Sequence, residues 1–99
     1  QIKMAERDRL WYLINSLING TYSTKNFCEE FTRIYDEEVD YNFLSYEEKQ
    51  NFAEMSEMAS RYSEDNSKLR FIDKYFSATD IIENAKEIKL RTLGTVEIF

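Results

Sequence analysis

The side chains of this sequence that could do chemistry are carboxylates and one thiol. Acids stand in pairs at Glu29/Glu30 and Glu54/Glu57, spacings that metal sites and acid–base catalysts use, and Cys28 is the single cysteine. A di-iron helical site also needs Glu-x-x-His motifs, and the chain has no histidine. No basic cluster near Cys28 in the sequence would activate its thiol. The sequence therefore predicts no catalytic residue, no metal and no cofactor, and we expect a binding protein rather than an enzyme.

The familiar ligand-binding motifs are missing as well. The sequence contains no P-loop, Gly-x-Gly-x-x-Gly, Gly-x-Ser-x-Gly or Cys-x-x-Cys, so phosphate cradles, nucleophile elbows and zinc ribbons lack their signatures. The acidic stretches around Asp36 and Asp65 do not have the Asp, Asn and Gly spacing of a calcium loop. A small helical enzyme that uses carboxylates alone is the catalytic alternative that remains.

Acidic charge is concentrated in the middle of the chain. The net charge of the whole sequence is -6. Residues 1–28 sum to +2 (four basic, two acidic), residues 29–65 to -9 (three basic, twelve acidic) and residues 66–99 to +1 (six basic, five acidic). A block of this kind repels phosphate and attracts cations. We therefore expect no direct binding of nucleic acid and a basic protein as the partner.

The densest acidic run stands where a helix should end. Negative charge at a helix C-terminus opposes the helix dipole, so this run is not expected to serve local stability. It either keeps the protein soluble or forms a partner surface, and charge density makes its acids candidate binding residues. They are Asp36, Glu37, Glu38 and Asp40.

Apolar residues at helical spacing predict four helices. The first should end at Gly20, which adopts the left-handed conformation easily, and the second should begin after Ser23 as N-cap. Capping boxes open the third helix at Ser45 and the fourth at Ser77. The predicted buried series are Leu10, Leu13, Ile14, Leu17 and Ile18; Phe27, Phe31, Ile34 and Tyr35; Phe52, Met55, Met58, Ala59 and Tyr62; and Ile81, Ile82, Ala85, Ile88 and Leu93.

Residues 63–76 are the longest connection predicted to be irregular. Three aromatic residues, Phe71, Tyr75 and Phe76, are expected to hold it against the helices. Residues 95–99 have a strand-like composition without an evident pairing partner, so residues 94–99 are a flexible tail, a segment that packs in an extended form, or an addition to the natural chain.

Length and composition favour one helical domain over residues 1–99. The chain has no proline and two glycines, a shortage that disfavours turn-rich sandwiches and barrels. Four helices with mostly short links predict an all-α, antiparallel four-helix bundle. The lone cysteine, and the lack of a signal-like start or of ~20 consecutive apolar residues, predict a soluble cytoplasmic protein that does not bind membranes.

The order of features from residue 13 to residue 90 also matches a known pattern. A first helix ends in Leu-Ile-Asn-Gly at residues 17–20, and Tyr22, Phe27 and Phe31 follow at a spacing like Ile-x-x-x-x-Phe-x-x-x-Phe/Ile. The third helix ends near an Arg-Tyr pair that acids follow closely, and an aromatic pair precedes the last helix. In order and spacing, the chain resembles the bacterial self-protective immunity proteins typified by the colicin D immunity family, including those of contact-dependent growth inhibition systems.

The resemblance implies a four-helix protein made beside its toxin, a nuclease commonly directed at tRNA. Such a protein would bind the C-terminal catalytic domain of the toxin in a 1:1 complex and cover its basic active-site cleft with an acidic surface. An acidic, phosphate-mimicking regulator of a DNA-binding or restriction protein is the alternative, and it would lack the link to a toxin.

Motif position also selects the residues expected to touch the toxin. Asp65 and Glu64 match the acidic segment that follows the Arg-aromatic pair in the family, and they are the first candidates. The acidic run from residue 36 to residue 40 comes second, on charge density. Ser60 and Ser63 stand where family members can carry further acids, so the contact pattern should differ in detail. Arg61 is expected to pair within the protein rather than with the toxin.

Overall fold

Helices make up most of the chain that the structure describes. This computed structural model describes residues 5–71 and 74–94, with the backbone alone at 93 and 94. A π turn extends the second helix, and a 3₁₀ turn precedes the third. The predicted all-α class is confirmed, and so are the four predicted helices. The elements are α1 (Glu6–Asn19), α2 (Thr24–Arg33), the π turn (Ile34–Glu38), the 3₁₀ turn (Tyr41–Phe43), α3 (Tyr46–Ser60), α4 (Asn66–Leu69) and α5 (Ala78–Gly94).

The predicted helix boundaries are confirmed by their capping hydrogen bonds. Gly20 ends α1 with a positive φ of 80°, which a residue without Cβ adopts at low cost. Ser23 Oγ accepts the Asn26 amide at 3.1 Å at the start of α2. Both capping boxes form, since each serine accepts an amide proton and its own amide donates to the acid three residues on, Glu48 or Asp80.

One buried cluster joins the four longer helices, each of which contacts at least two of the others. Three phenylalanine side chains are fully buried at its centre, and the rings of Phe31 and Phe52 lie 5.8 Å apart, edge to face. Burying such a side chain stabilises the fold by roughly 1.5–3 kcal/mol. The packing is compatible with a four-helix bundle, and the antiparallel arrangement stays a prediction. The cluster contains Leu10, Leu13, Ile14, Leu17, Phe27, Cys28, Phe31, Ile34, Leu44, Phe52, Met55, Ala59, Ile81, Ala85 and Ile88.

The connection between α3 and α5 is more ordered than predicted. Residues 66–69 form the single turn of α4, and Tyr62 pairs with Phe76 in an isolated bridge. Phe76 packs against the core as expected, but Phe71 is 55% exposed, so the expectation that Phe71 holds the connection to the helices is wrong. The backbone bridge does this instead: the Ser63 amide donates to Phe76 O at 2.9 Å.

The predictions for the C-terminal end lie outside the described residues, except at Gly94. That residue, the first of the predicted tail, is the last of α5. The side chain of Leu93 and residues 95–99 are not described. Among the helices that are described, each is too short or too polar to cross a membrane.

Candidate protein-binding surface

An open cleft of about 490 Å³ brings Glu64 and Asp65 together with a third acid, Glu29. It lies between α2, the end of α3 and residues 62–65. Glu29 comes from the exposed side of α2, more than thirty residues before the other two acids in the chain. Among the described residues that line the cleft, Lys25 alone is basic. The cleft therefore carries net negative charge from two separate parts of the sequence.

The two first-choice acids are held by hydrogen bonds to near neighbours. Asp65 is the N-cap of α4, and its Oδ1 accepts both the amide of Ser67 (2.9 Å) and its hydroxyl (2.8 Å). The hydroxyl of Tyr62 donates to Glu64 Oε2 at 2.8 Å. The bonds from Ser67 lower the pKa of Asp65. Burial, together with the bond to Glu64, raises the pKa of Tyr62 to about 12. The side chains of both acids are thus oriented by groups two residues away in the sequence.

Cys28 also lines this cleft, but it is not a reactive thiol. Its side chain is 5% exposed, and burial, followed by the nearby charge of Glu29, raises its pKa to about 12. The thiolate is the nucleophilic form of cysteine, so a raised pKa removes reactivity near neutral pH. Cys28 belongs to the buried core cluster.

The acids of the run 36–40 follow the C-terminal end of α2, and none of them lines the cleft. Asp36 and Glu37 are exposed on the π turn. Asp40 is also exposed, and its Oδ1 accepts the amide of Asn42 at 3.0 Å, which caps the 3₁₀ turn. The structure therefore separates the first-choice and second-choice acids into two surfaces.

Glu38 differs from the rest of that run because it lies inside two ion pairs. It contacts Arg33 of α2, and its Oε1 accepts from Arg9 of α1 at 2.8 Å. A π turn places residues five apart on the same side, and this brings Glu38 next to Arg33. The hydrogen bond from Arg9, together with that from Arg33, lowers the pKa of Glu38. Glu38 thus joins the π turn to α1, although ion pairs between partly exposed side chains stabilise little, and the expectation about local stability stays a prediction.

Arg61 pairs within the protein, as predicted. Its Nη2 lies 2.7 Å from Glu57 Oε2, one helical turn earlier in α3. Three acids of that helix are exposed: Glu47, Glu54 and Glu57.

Glu48 has a second role that the sequence pattern did not predict. Glu48 is only 1% exposed. Its carboxylate accepts hydrogen bonds from Arg7 Nε (2.9 Å), Trp11 Nε1 (2.7 Å) and the Ser45 amide (2.8 Å). Burial works to raise the pKa of Glu48, but these hydrogen bonds outweigh it, so the pKa lies below its usual value. The capping-box pattern correctly predicted the contact between Glu48 and Ser45. No pattern in the neighbouring sequence indicated that Glu48 would also contact α1, about forty residues earlier in the chain.

Exposed aromatic side chains around the 3₁₀ turn were missed as well. Phe43 is 76% exposed, although phenylalanine is usually buried, and Tyr46 is 73% exposed. One feature of the sequence could have indicated this exposure: Phe43 belongs to none of the apolar series at helical spacing.

No group of three or more cysteine, aspartate or glutamate side chains within the described ranges is arranged to hold a metal ion. The chain matches no protein-family model, no curated protein and no solved structure. The resemblance to immunity proteins therefore stays a prediction that rests on the sequence.

Proposed function

We propose that this chain is an immunity protein that binds the catalytic domain of a bacterial nuclease toxin in a 1:1 complex in the cytoplasm. The observation that carries the proposal is the cleft in which Glu29, Glu64 and Asp65 meet. A nuclease holds a polyanion in its active site, so that site is lined by cations. An acidic surface of fixed shape can occupy it in place of RNA.

The orientation of the acids supports this proposal beyond their charge. Glu64 and Asp65 are already held by Tyr62 and Ser67 in the free protein, so less side-chain freedom is lost when a partner binds. The central acidic block also speeds the encounter with a cationic partner, which matters for a protein that must intercept a toxin.

The residue types at the cleft favour binding over catalysis. The chain contains no histidine, and the one thiol at the cleft, Cys28, has a pKa raised to about 12. The described residues of the cleft therefore include neither a histidine base nor an activated thiol. A protein that inhibits a toxin by covering its active site needs neither group.

The test is to mix the purified chain with the catalytic domain of the nuclease toxin encoded next to it, and to measure complex formation and tRNA cleavage. We expect a 1:1 complex and loss of cleavage. The pair Glu64→Lys and Asp65→Lys should weaken the complex by about 100-fold, because each reversal replaces attraction with repulsion. Circular dichroism checks that the variant is folded.

A matched control changes the net charge equally at another place. Glu83→Lys with Glu87→Lys, on exposed positions of α5 that do not line the cleft, should alter affinity by less than about threefold, because surface charges without a direct partner are screened. The proposal fails if the wild-type chain neither binds nor protects against an adjacent toxin. Tight binding to a DNA-binding protein, with no toxin encoded nearby, would favour the phosphate-mimicking alternative.

A further inference from the structure

The segment 40–46, here called the aromatic loop, presents large apolar side chains to water. Phe43 is 76% exposed, Tyr46 is 73% exposed and Tyr41 is 44% exposed. They follow one another closely in the chain, so they are unlike a single stray surface aromatic. Aromatic side chains grouped at a surface are typical of the energetic centres of protein interfaces.

The loop holds its shape without help from Phe43 or Tyr46. The Tyr41 hydroxyl donates to the Tyr35 carbonyl oxygen at 2.9 Å, and the two rings lie 5.2 Å apart. The Asp40 carboxylate caps the 3₁₀ turn. Since these bonds use the backbone and other side chains, the two most exposed rings are left free for contact.

Burial on either side keeps those rings turned outward. Leu44, next to Phe43, is 6% exposed and belongs to the core. Glu48, two residues after Tyr46, is fixed to Arg7 of α1. The inward positions of the segment are thus occupied, and the outward arrangement is already formed before any partner binds. Such preorganisation favours affinity, because little conformational freedom is lost on docking.

Acids outnumber cations around the loop, although Arg7 of α1 lies beside Phe43 and pairs with Glu48. No lysine or arginine occurs from residue 34 to residue 48, and exposed carboxylates stand on both sides of the aromatic residues. A second copy of this chain would bring like charges together, which disfavours self-association through this surface. The surrounding acids are Asp36, Glu37, Asp40 and Glu47.

We infer that Phe43 and Tyr46 dock into an apolar pocket ringed by lysine and arginine side chains on the toxin domain, an inference that rests on the proposed function. The loop joins the π turn to α3, whereas the cleft lies along α2 and at the end of α3. The rise along α3 puts the loop and the end of that helix about 20 Å apart. A standard interface of roughly 800 Å² per partner is wide enough to cover both.

The experiment measures the affinity of the purified toxin catalytic domain for the double variant Phe43→Ala/Tyr46→Ala. We expect an affinity lower by about 30-fold or more, the usual loss when interface anchors are truncated. The matched control is Tyr12→Ala/Leu90→Ala, which removes apolar side chains that are also exposed, 57% and 72%. The control should change affinity by less than about threefold, and both variants should keep the wild-type urea midpoint.

The possible failures are distinguishable. Wild-type binding with unchanged affinity in the loop variant would overturn this inference and leave the proposed function standing. No binding by the wild-type chain would overturn both. A concentration-dependent dimer of the wild-type chain that Phe43→Ala/Tyr46→Ala abolishes would also overturn the inference, because the surface would then belong to a second copy.

Discussion

The acidic cleft and the aromatic loop are held in place in different ways. At the cleft, Glu64 and Asp65 are bound by groups two residues away. Just after the loop, Glu48 of α3 is bound by Arg7 and Trp11, 41 and 37 residues away. The cleft acids are thus oriented locally, whereas the start of α3, where the loop ends, is also fixed by side chains of α1. Substitutions at the cleft should therefore change binding without changing stability, and substitutions that detach the loop should change both.

The largest expected effect on the fold is that of Glu48→Ala. The change leaves the Trp11 indole N–H without its partner and removes the capping box, so we expect the free energy of unfolding to fall by about 3 kcal/mol. Urea denaturation measures it. Glu47→Ala, one residue earlier and exposed, is the matched control and should stay within about 0.5 kcal/mol of wild type. Equal losses in the two variants would contradict a special role for Glu48.

Acidification should separate the contribution of the Glu48 charge. Glu48→Gln keeps the side-chain size, and we expect it to lower the free energy of unfolding by about 1.5 kcal/mol at neutral pH. The pKa of Glu48 is lower in the folded chain. Its stabilising contribution is therefore complete above the unfolded pKa of about 4.3 and is lost as the pH falls through the folded pKa. The difference from wild type should shrink in urea titrations below about pH 4; a difference that grew would refute the assignment.

Salt should distinguish the two surfaces in the toxin complex. Raising NaCl from about 50 mM to about 500 mM should weaken wild-type binding about tenfold, because it screens charges that attract across the interface. Phe43→Ala/Tyr46→Ala should keep this salt dependence, whereas Glu64→Lys/Asp65→Lys should lose most of it. Calorimetric titrations at the two salt concentrations measure the affinities. The same salt dependence in all three proteins would show that the cleft acids do not meet cations.

The smallest expected contrast lies between two helix caps. Ser45→Ala removes the cap of α3, a helix that packs on the core, and should cost about 1 kcal/mol in free energy of unfolding. Asp65→Ala removes the cap of α4, a single exposed turn, and should leave the urea midpoint unchanged. A clear loss of stability in Asp65→Ala would show that the cleft segment contributes to the fold as the loop does.

Much of the fold was predictable because its signals are local. The ends of the helices depend on Gly20, Ser23, Ser45 and Ser77, whose capping hydrogen bonds join residues a few positions apart. The buried faces follow from spacing along one helix. The single turn of α4 was not predicted, since four residues are too few to show a period.

The candidate surface was only partly predictable. The sequence by itself identified Glu64 and Asp65, and it placed acidic charge in the middle of the chain. It did not show that Glu29 joins them at one cleft, or that Glu38 forms ion pairs with Arg9 and Arg33. These facts depend on how separate helices pack.

Helix boundaries and charge were therefore determined by the sequence, through interactions between near neighbours. Tertiary structure decided which acids are free, which one is buried and which aromatic side chains remain outside. Glu47 and Glu48 are the same residue type in adjacent positions, yet one is exposed and the other meets Trp11. Only the position of α1 beside the start of α3 makes that distinction, because the partner that stabilises a buried charge lies far away in the chain.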